Sequence, residues 1–120
     1  EGIRDLEPIG TNEQKPFLED ATYLIAVFKK AYEIHPEGKR KNYYVNESVG
    51  LAAGFLIAAI HQAGLCSLTH TPSPMNFLEQ ILERPKNERA ILLLPVGYAS
   101  EEAVVPDIQR RPLEEVSVWY

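Results

Sequence analysis

The chain has 120 residues, the size of one domain, and its 45% hydrophobic and 24% charged residues are typical of a folded protein. Its formal net charge of −5 excludes a general electrostatic attraction to nucleic acid or to an anionic membrane. The single cysteine excludes a disulfide framework and fits a reducing compartment, so we expect a cytoplasmic protein.

The first segment, residues 1–14, is polar and contains glycine and proline, which predicts a surface segment or the end of a mobile loop. It has neither an initiator methionine nor the pattern of a signal peptide, so we expect the sequence to begin inside a longer protein. Pro16 suits the first turn of a short helix over 16–20, because a missing N–H has no cost there.

Three strands and two longer helices are predicted after this segment. The strands are expected at 22–28, 65–70 and 90–94, and the helices at 46–63 and 73–83. The first strand is apolar on both faces, which predicts a central position in a sheet.

Turns and loops separate these elements. Residues 35–41 combine a Pro- and Gly-containing turn with a basic cluster, which predicts an exposed, solvated stretch. Ser73 and Pro74 suit the N-cap and first position of the second helix, and a loop is expected over 95–98. The tail ends in a short β-prone segment at 116–120.

The helix over 46–63 has the most informative composition. Asn46 can act as its N-cap, and Gly64 is the residue expected just past its end. Its longest apolar run has twelve residues, 49–60, whereas a membrane-spanning helix needs about 20. Small side chains cover most of its circumference, which predicts a central helix or a helix at a subunit interface.

The element order predicts an α/β or α+β sandwich with helices on both sides of the sheet. Three central strands form a thin sheet whose edges must be covered. We expect the cover to come from N-terminal sequence or from another subunit.

Metal and thiol chemistry find little support in the pattern. Cys66 and His70 are four residues apart on a predicted strand, roughly 13 Å along it, and His61 ends a helix. Ordinary partly buried polar residues are favoured over a metal site. Cys66 has no positively charged neighbour in the sequence, so we expect it to be a buried small hydrophobe rather than a nucleophile.

Two other groups are candidates for ligand binding. Residues 69–72 place two hydroxyls and an imidazole at the end of a strand, where ligands often bind, although spacing alone favours a simple strand-end turn with solvated threonines. Arg110 and Arg111 lie between two prolines, and such a pair suits a phosphate or a carboxylate, although a solvated basic pair is favoured from the residues alone.

The same segments carry a resemblance to a known family. From residue 15 to residue 116 the chain resembles the C-terminal half of the nitroreductase-like FMN flavoproteins, and most of all their iodotyrosine deiodinase branch. The sequence segments that match the family are, in chain order, Lys15–Ala21, Gly38–Lys41 with Tyr43-Tyr44, Ala63-Gly64-Leu65, Thr69–Pro72, Arg84-Pro85, Leu93–Tyr98 and Val105–Leu113.

The resemblance implies an α+β fold, the nitroreductase-like sandwich, in which a central mixed β-sheet is flanked by helices. Residues 1–120 would form the C-terminal part of a single domain, with 1–14 as the end of a lid and 15–120 as sheet, interface helix and tail. Such proteins are homodimers that hold FMN at the subunit interface, with the small-residue helix in the dimer core.

The resemblance also implies roles for site residues, which are assigned by their positions in the matching segments. Thr69, His70 and Thr71 match the segment beside the flavin ring, and Thr71 matches the residue whose hydroxyl or backbone N–H meets flavin N5, which gives it a catalytic role. Arg110 matches the arginine that binds the FMN phosphate, and Lys15 matches the lysine that pairs with the substrate carboxylate.

The chain also departs from the family pattern. The family's N-terminal half is absent, including most of its phosphate site and the lid residues that complete substrate recognition. His70 stands where the animal enzymes have threonine. We therefore expect the chain alone to hold FMN weakly and to be inactive.

Three functions remain open at this stage. The first is FMN-dependent reductive dehalogenation of halogenated tyrosine. The second is an NAD(P)H-dependent nitroreductase acting on nitroaromatics or quinones, with NAD(P)H as electron donor. The third is a non-catalytic dimerising or flavin-holding fragment.

Overall fold

The computed structural model describes residues 21–120. The segment 1–14, Lys15 and the helix expected over 16–20 lie outside these residues. The chain divides into two compact units, of which residues 21–99 and 100–120 are the described parts. The first contains, in order, β1 (Tyr23–Lys30), β2 (Tyr32–His35), β3 (Gly38–Lys41), α1 (Val45–Gln62), β4 (Cys66–Ser67), α2 (Phe77–Ile81) and β5 (Glu88–Gly97), and the second contains α3 (Leu113–Val116).

Strand β5 lies at the centre of a three-stranded antiparallel sheet with the order β1-β5-β4. The prediction of a strand over 90–94 is confirmed, but the loop expected from Pro95 is wrong, since the strand continues to Gly97. Leu94 and Val96 are buried in this strand and form the core with Ile60 of α1. Burial of these side chains explains why the strand continues through a proline.

The first predicted strand is present as β1, and its expected central position stays a prediction. It pairs with β5 along its whole length, from Tyr23 opposite Val96 to Lys30 opposite Glu88. Within the described residues β5 is its sole ladder partner, and Tyr23 and Leu24 are exposed.

Helix α1 starts slightly earlier than expected and ends where expected. Tyr44, in the left-handed region with φ 55°, is the N-cap, and the prediction for Asn46 is wrong. The Asn46 side chain lies inside the first turn and accepts a hydrogen bond from Lys29 Nζ at 3.0 Å. At the other end Gly64 has φ 83° and donates its N–H to the His61 carbonyl, which confirms its predicted place just past the helix.

One face of α1 packs on the sheet and the opposite face is exposed. Ala53 and Ile60 are buried, whereas Leu51 and Phe55 are 69% and 77% exposed. A central position surrounded on all sides is therefore wrong for the described chain, and a subunit interface stays a prediction. Among the described helices, this one included, none combines the length and apolarity needed to cross a membrane.

Strands β2 and β3 form a separate hairpin that was not predicted. The turn expected near Gly38 is present, but the basic cluster is part of strand β3 rather than an irregular stretch. His35 pairs with Gly38 at the turn, and Tyr32 pairs with Lys41 at the base. Short, polar strands carry little periodic signal, because neither face of this hairpin is fully buried.

Helix α2 is shorter than the predicted 73–83. It starts at Phe77 with Asn76 at its N-cap, so the roles given to Ser73 and Pro74 are wrong. The helical hydrogen bonds begin only at Met75, whose carbonyl accepts from the Leu78 N–H.

The turn after α2 is held by an ion pair. Arg84 donates to both carboxylate oxygens of Glu88 at 2.6 and 3.0 Å. These hydrogen bonds hold the pKa of Glu88 below its ordinary value. Their contribution to stability is therefore present above the ordinary pKa of a glutamate and is lost as the pH falls through the lowered one.

The second unit has one described helix, α3, and no strand over 100–120. The β-prone segment expected at 116–120 is therefore not a strand. Its apolar side chains, Val118 and Trp119, are exposed. A β-prone sequence without a strand to pair with cannot satisfy its backbone in a ladder.

Candidate functional site

The candidate site is built on β4, the strand at one edge of the described sheet. A strand over 65–70 was predicted, but regular pairing covers only Cys66 and Ser67, opposite Gly97 and Val96. Pairing returns as a single bridge between His70 and Leu93. The register is the same on both sides of the interruption.

Pro95 explains the interruption. Continuing the register of Ser67 and Val96 by one residue places Leu68 opposite Pro95. Hydrogen-bonded pairs alternate along an antiparallel ladder, so Leu68 and Pro95 would form the pair between Cys66–Gly97 and His70–Leu93. Proline has no N–H to donate to the Leu68 carbonyl, and the ladder breaks at that point.

The bridge at His70 decides which groups remain available beside it. The His70 N–H donates to Leu93 at 3.0 Å, and the Leu93 N–H donates back to His70 at 2.8 Å. Backbone groups of an extended chain alternate in direction, so the N–H groups of Thr69 and Thr71 point away from β5. Both threonines are exposed, and neither has a hydrogen bond within residues 21–120.

The three predicted flavin-side residues therefore lie together on one edge. Thr69 and Thr71 each direct a backbone N–H toward the outer side and have an exposed hydroxyl-bearing side chain, while the half-buried His70 ties the segment to the sheet. Such an edge can donate hydrogen bonds to the acceptor atoms of a flat ligand. Pro95 is the residue of this site that the sequence analysis missed; its signal is a proline flanked by buried apolar residues.

Cys66 is exposed on β4, so the prediction of a buried small hydrophobe is wrong. Successive side chains of a strand point to opposite faces of the sheet, so every second side chain lies outside the core where one face is open to solvent. In the described part of the chain, no cluster of three or more histidine, cysteine or acidic side chains could hold a metal ion.

Arg110 and Arg111 lie in the second unit and are exposed. They line an open cleft of about 560 Å³ together with Ile108, Gln109 and Val116. Neither guanidinium is paired with a carboxylate among the described residues. Their donors can therefore bind an anion such as a phosphate.

The structure thus groups three of the five predicted site residues. Thr69, His70 and Thr71 share the edge beside Pro95, Arg110 belongs to the second unit, and Lys15 lies outside the described residues.

Comparison with known proteins gives clear similarities. The chain is 64% identical, over its whole length, to an iodotyrosine deiodinase of Haliscomenobacter hydrossis, of which it covers 54%. A solved iodotyrosine deiodinase, bound to FMN and 3-iodo-L-tyrosine, matches with a TM-score of 0.71 and 32% identity, over 92% of this chain and 52% of that one. An oxidoreductase containing FMN matches with the same TM-score at 18% identity, over 88% of this chain and 65% of that one, which shows the fold alone. No protein-family model matches.

These similarities confirm the predicted α+β architecture, which is that of the two FMN-binding structures. Over its whole length the chain is similar to iodotyrosine deiodinases. The chain spans about half the length of the relatives it matches.

Proposed function

We propose that the chain forms part of an FMN-dependent oxidoreductase that removes halogen from halogenated tyrosine by reduction. The observation that carries the proposal is the 64% identity to a bacterial iodotyrosine deiodinase along the entire chain. The match to a deiodinase structure bound to FMN and 3-iodo-L-tyrosine supports the same cofactor and substrate class.

The residues of the β4 edge fit a flavin. A flavin ring is flat and carries acceptor atoms along its rim, and the free donors of Thr69 and Thr71 lie along one side of an exposed strand. Thr71 would donate a hydrogen bond at flavin N5, and Thr69 and His70 would position the ring. When bound, FMN supplies the electrons for the reaction, while the protein orients it and tunes its electronics.

The exposed guanidinium of Arg110 fits the FMN phosphate. Two parallel N–H donors match two phosphate oxygens, and such charge-assisted bonds are stronger than neutral ones. Lys15 would bind the carboxylate of the substrate amino acid, which orients the halogenated ring.

A homodimer would complete the site. In α1, small and apolar side chains face away from the sheet, with the exposed Gly54 and Ala58 close to Leu51 and Phe55 on the helix surface. A second helix can approach such a face closely. The proposed dimer joins two copies through this face, with FMN at the interface.

The proposal is tested in the full-length protein by flavin absorbance and by titration with 3-iodo-L-tyrosine. Arg110→Ala should lower FMN affinity by about tenfold or more, the loss expected for a charge-assisted contact of about 1.5–3 kcal/mol. Arg111→Ala is the matched control and should change it by less than about threefold. Lys15→Ala should weaken iodotyrosine binding without releasing FMN.

Three results would contradict parts of this proposal. A protein that binds no flavin rules out both enzymatic functions and leaves a non-catalytic module. Reduced flavin that is reoxidised by nitroaromatics, but not by iodotyrosine, identifies a nitroreductase, and reduction of the oxidised flavin by NAD(P)H then tests the electron donor. Unchanged iodotyrosine binding in Lys15→Ala shows that Lys15 does not hold the substrate.

A further inference from the structure

Residues 69–71, here called the site segment, are held on β5 by an isolated bridge. The bridge joins His70 to Leu93 through two backbone hydrogen bonds, of 3.0 and 2.8 Å. Regular pairing before it ends at Ser67, because the ladder is interrupted opposite Pro95. An isolated bridge opens more readily than a continuous ladder, so the position of the site segment also depends on where the chain is attached next.

The next attachment to β5 is made by a side chain of α2. Glu79 Oε1 accepts a hydrogen bond from the Ala90 N–H at 3.1 Å, and this contact is partly buried. Among residues 21–120, no earlier hydrogen bond joins the chain to β5 after the bridge at His70. Ala90 and Leu93 are three residues apart on one strand, about 10 Å. Residues 71–78 thus form a loop with both ends tied to β5.

The Ala90 N–H can reach α2 because β5 has a bulge at this point. The register of β5 with β1 shifts between Val27 and Phe28, which leaves Ile91 as the extra residue beside Ala90. A bulge disrupts the ladder locally, so a backbone donor there needs a partner from elsewhere. The carboxylate of Glu79 is that partner.

Glu79 makes a second contact, which is weaker. Its Oε2 lies 3.4 Å from Arg89 Nη1, and the side chains of Arg89 and Glu79 are 52% and 18% exposed. A long ion pair with one partner largely in solvent contributes little. Loss of the acceptor of a partly buried N–H has a larger cost, because the donor keeps no partner. The contact with Ala90 is therefore the one that fixes α2.

Burial of the neighbouring Leu78 does not replace this contact. Leu78 is 7% exposed, and α2 packs against β5. Apolar burial is not directional, so it holds the helix on the sheet without fixing its place along the strand. A hydrogen bond from Glu79 to one particular N–H fixes that place.

We propose that Glu79 is a positioning residue for the site segment. Its carboxylate fixes the far end of the loop 71–78 on β5, and this holds Thr71, the first residue of the loop, in place. The role of Thr71 at a flavin rests on the proposed function. The attachment itself does not, and it is measured without a flavin.

Amide hydrogen exchange of the flavin-free, full-length protein, resolved by residue, tests the attachment. Glu79→Ala should speed exchange of the His70 and Leu93 amides at least about fivefold, because the bridge opens more often when the loop end is released. Glu79→Gln keeps an acceptor oxygen for the Ala90 N–H and should stay within about twofold of the parent. Arg89→Ala removes only the ion pair and should do the same.

Glu88→Gln is the control for a general loss of stability. It breaks the bidentate pair with Arg84 in the same unit but leaves the Glu79 carboxylate in place. It should lower the midpoint of urea unfolding without a selective change at His70 and Leu93. Far-UV circular dichroism establishes that each variant is folded.

The same variants should differ when FMN is bound to the full-length protein. Glu79→Ala should raise the Kd of FMN about threefold or more, because the site segment must be ordered on binding. Glu79→Gln should restore the Kd to within about twofold of the parent, and Glu88→Gln should leave it unchanged.

The outcomes separate this proposal from the proposed function. Unchanged exchange at His70 and Leu93 in Glu79→Ala overturns the attachment, whatever FMN does. Equal losses of FMN affinity in Glu79→Ala and Glu88→Gln would show general destabilisation and overturn the positioning role. A parent protein that binds no FMN, with exchange still accelerated in Glu79→Ala, contradicts the proposed function and supports the attachment.

Discussion

The two longer helices end in the same backbone motif with different residues. After α1, Gly64 has φ 83°, and the Leu65 N–H donates to the Ile60 carbonyl. After α2, Glu83 has φ 51°, and the Arg84 N–H donates to the Glu79 carbonyl. A left-handed residue satisfies otherwise unpaired carbonyls in both cases, but glutamate has a Cβ that disfavours this conformation.

Replacing the strained residue should therefore stabilise the protein. Glu83→Gly should raise the free energy of unfolding by about 0.5–1 kcal/mol, since the Cβ strain is removed and partly offset by greater freedom in the unfolded chain. Urea unfolding followed by circular dichroism measures the change. Gly64→Ala is the matched control and should lower the same quantity by about 1 kcal/mol. A loss of stability in Glu83→Gly would mean that the glutamate side chain makes a stabilising contact.

At this scale the sequence predicted only what a residue's own chemistry favours. Gly64 was expected after a helix because glycine adopts positive φ readily. Tyr44 and Glu83 were not, because their left-handed conformations are imposed by the surrounding fold. The same reason explains why Asn46, a good N-cap by type, lies inside the helix.

Among the elements, β5 shows most clearly where local pattern failed. The apolar residues 90–94 predict its central part. The predicted strand stops before Pro95, because proline is typical of loops and edge strands. The missing N–H faces the carbonyl of Leu68, where the edge strand is already interrupted. A proline inside a central strand is thus accommodated by a gap in its neighbour.

Restoring the donor should close that gap. Pro95→Ala provides an N–H opposite Leu68, so we expect β4 to pair continuously from Cys66 to His70. The new amide at position 95 should then exchange slowly with solvent deuterium, much as the bridged Leu93 amide does. Pro106→Ala in the exposed tail is the control, and the amide that it creates should exchange fast. Fast exchange at position 95 would assign the interruption to another cause.

The local sequence pattern does not predict the hairpin of β2 and β3, for a different reason. It depends on Asn87, which follows Tyr32 by 55 positions in the chain. A short, charged strand pair has neither hydrophobic alternation nor a long helical repeat to reveal it.

For the molecule as a whole, the informative feature is the unused face of α1. The helix was predicted to be central or interfacial from its small residues, and its two faces differ little in hydropathy. Only the structure shows that Ala53 and Ile60 face the sheet while Leu51 and Phe55 do not. The sequence also predicted the resemblance to iodotyrosine deiodinases and a candidate cluster at 69–72, but not that Arg110 belongs to a separate unit.

A charge on that face should prevent the proposed dimer. Leu51→Glu would bury a carboxylate between two apolar helices, so we expect monomers at concentrations where the parent protein is dimeric. Gln80→Glu adds the same charge on α2 and should leave the dimer unchanged. Sedimentation velocity separates the two species. A dimer that survives Leu51→Glu would place the interface elsewhere.

The exposed thiol of Cys66 has a practical consequence for studying the site. It is the chain's one cysteine, and it lies on the edge strand β4, three residues before Thr69. That separation is about 10 Å in an extended chain. A thiol-reactive dye would attach at this one position without any engineered cysteine, and its emission would report directly on what occupies the adjoining edge.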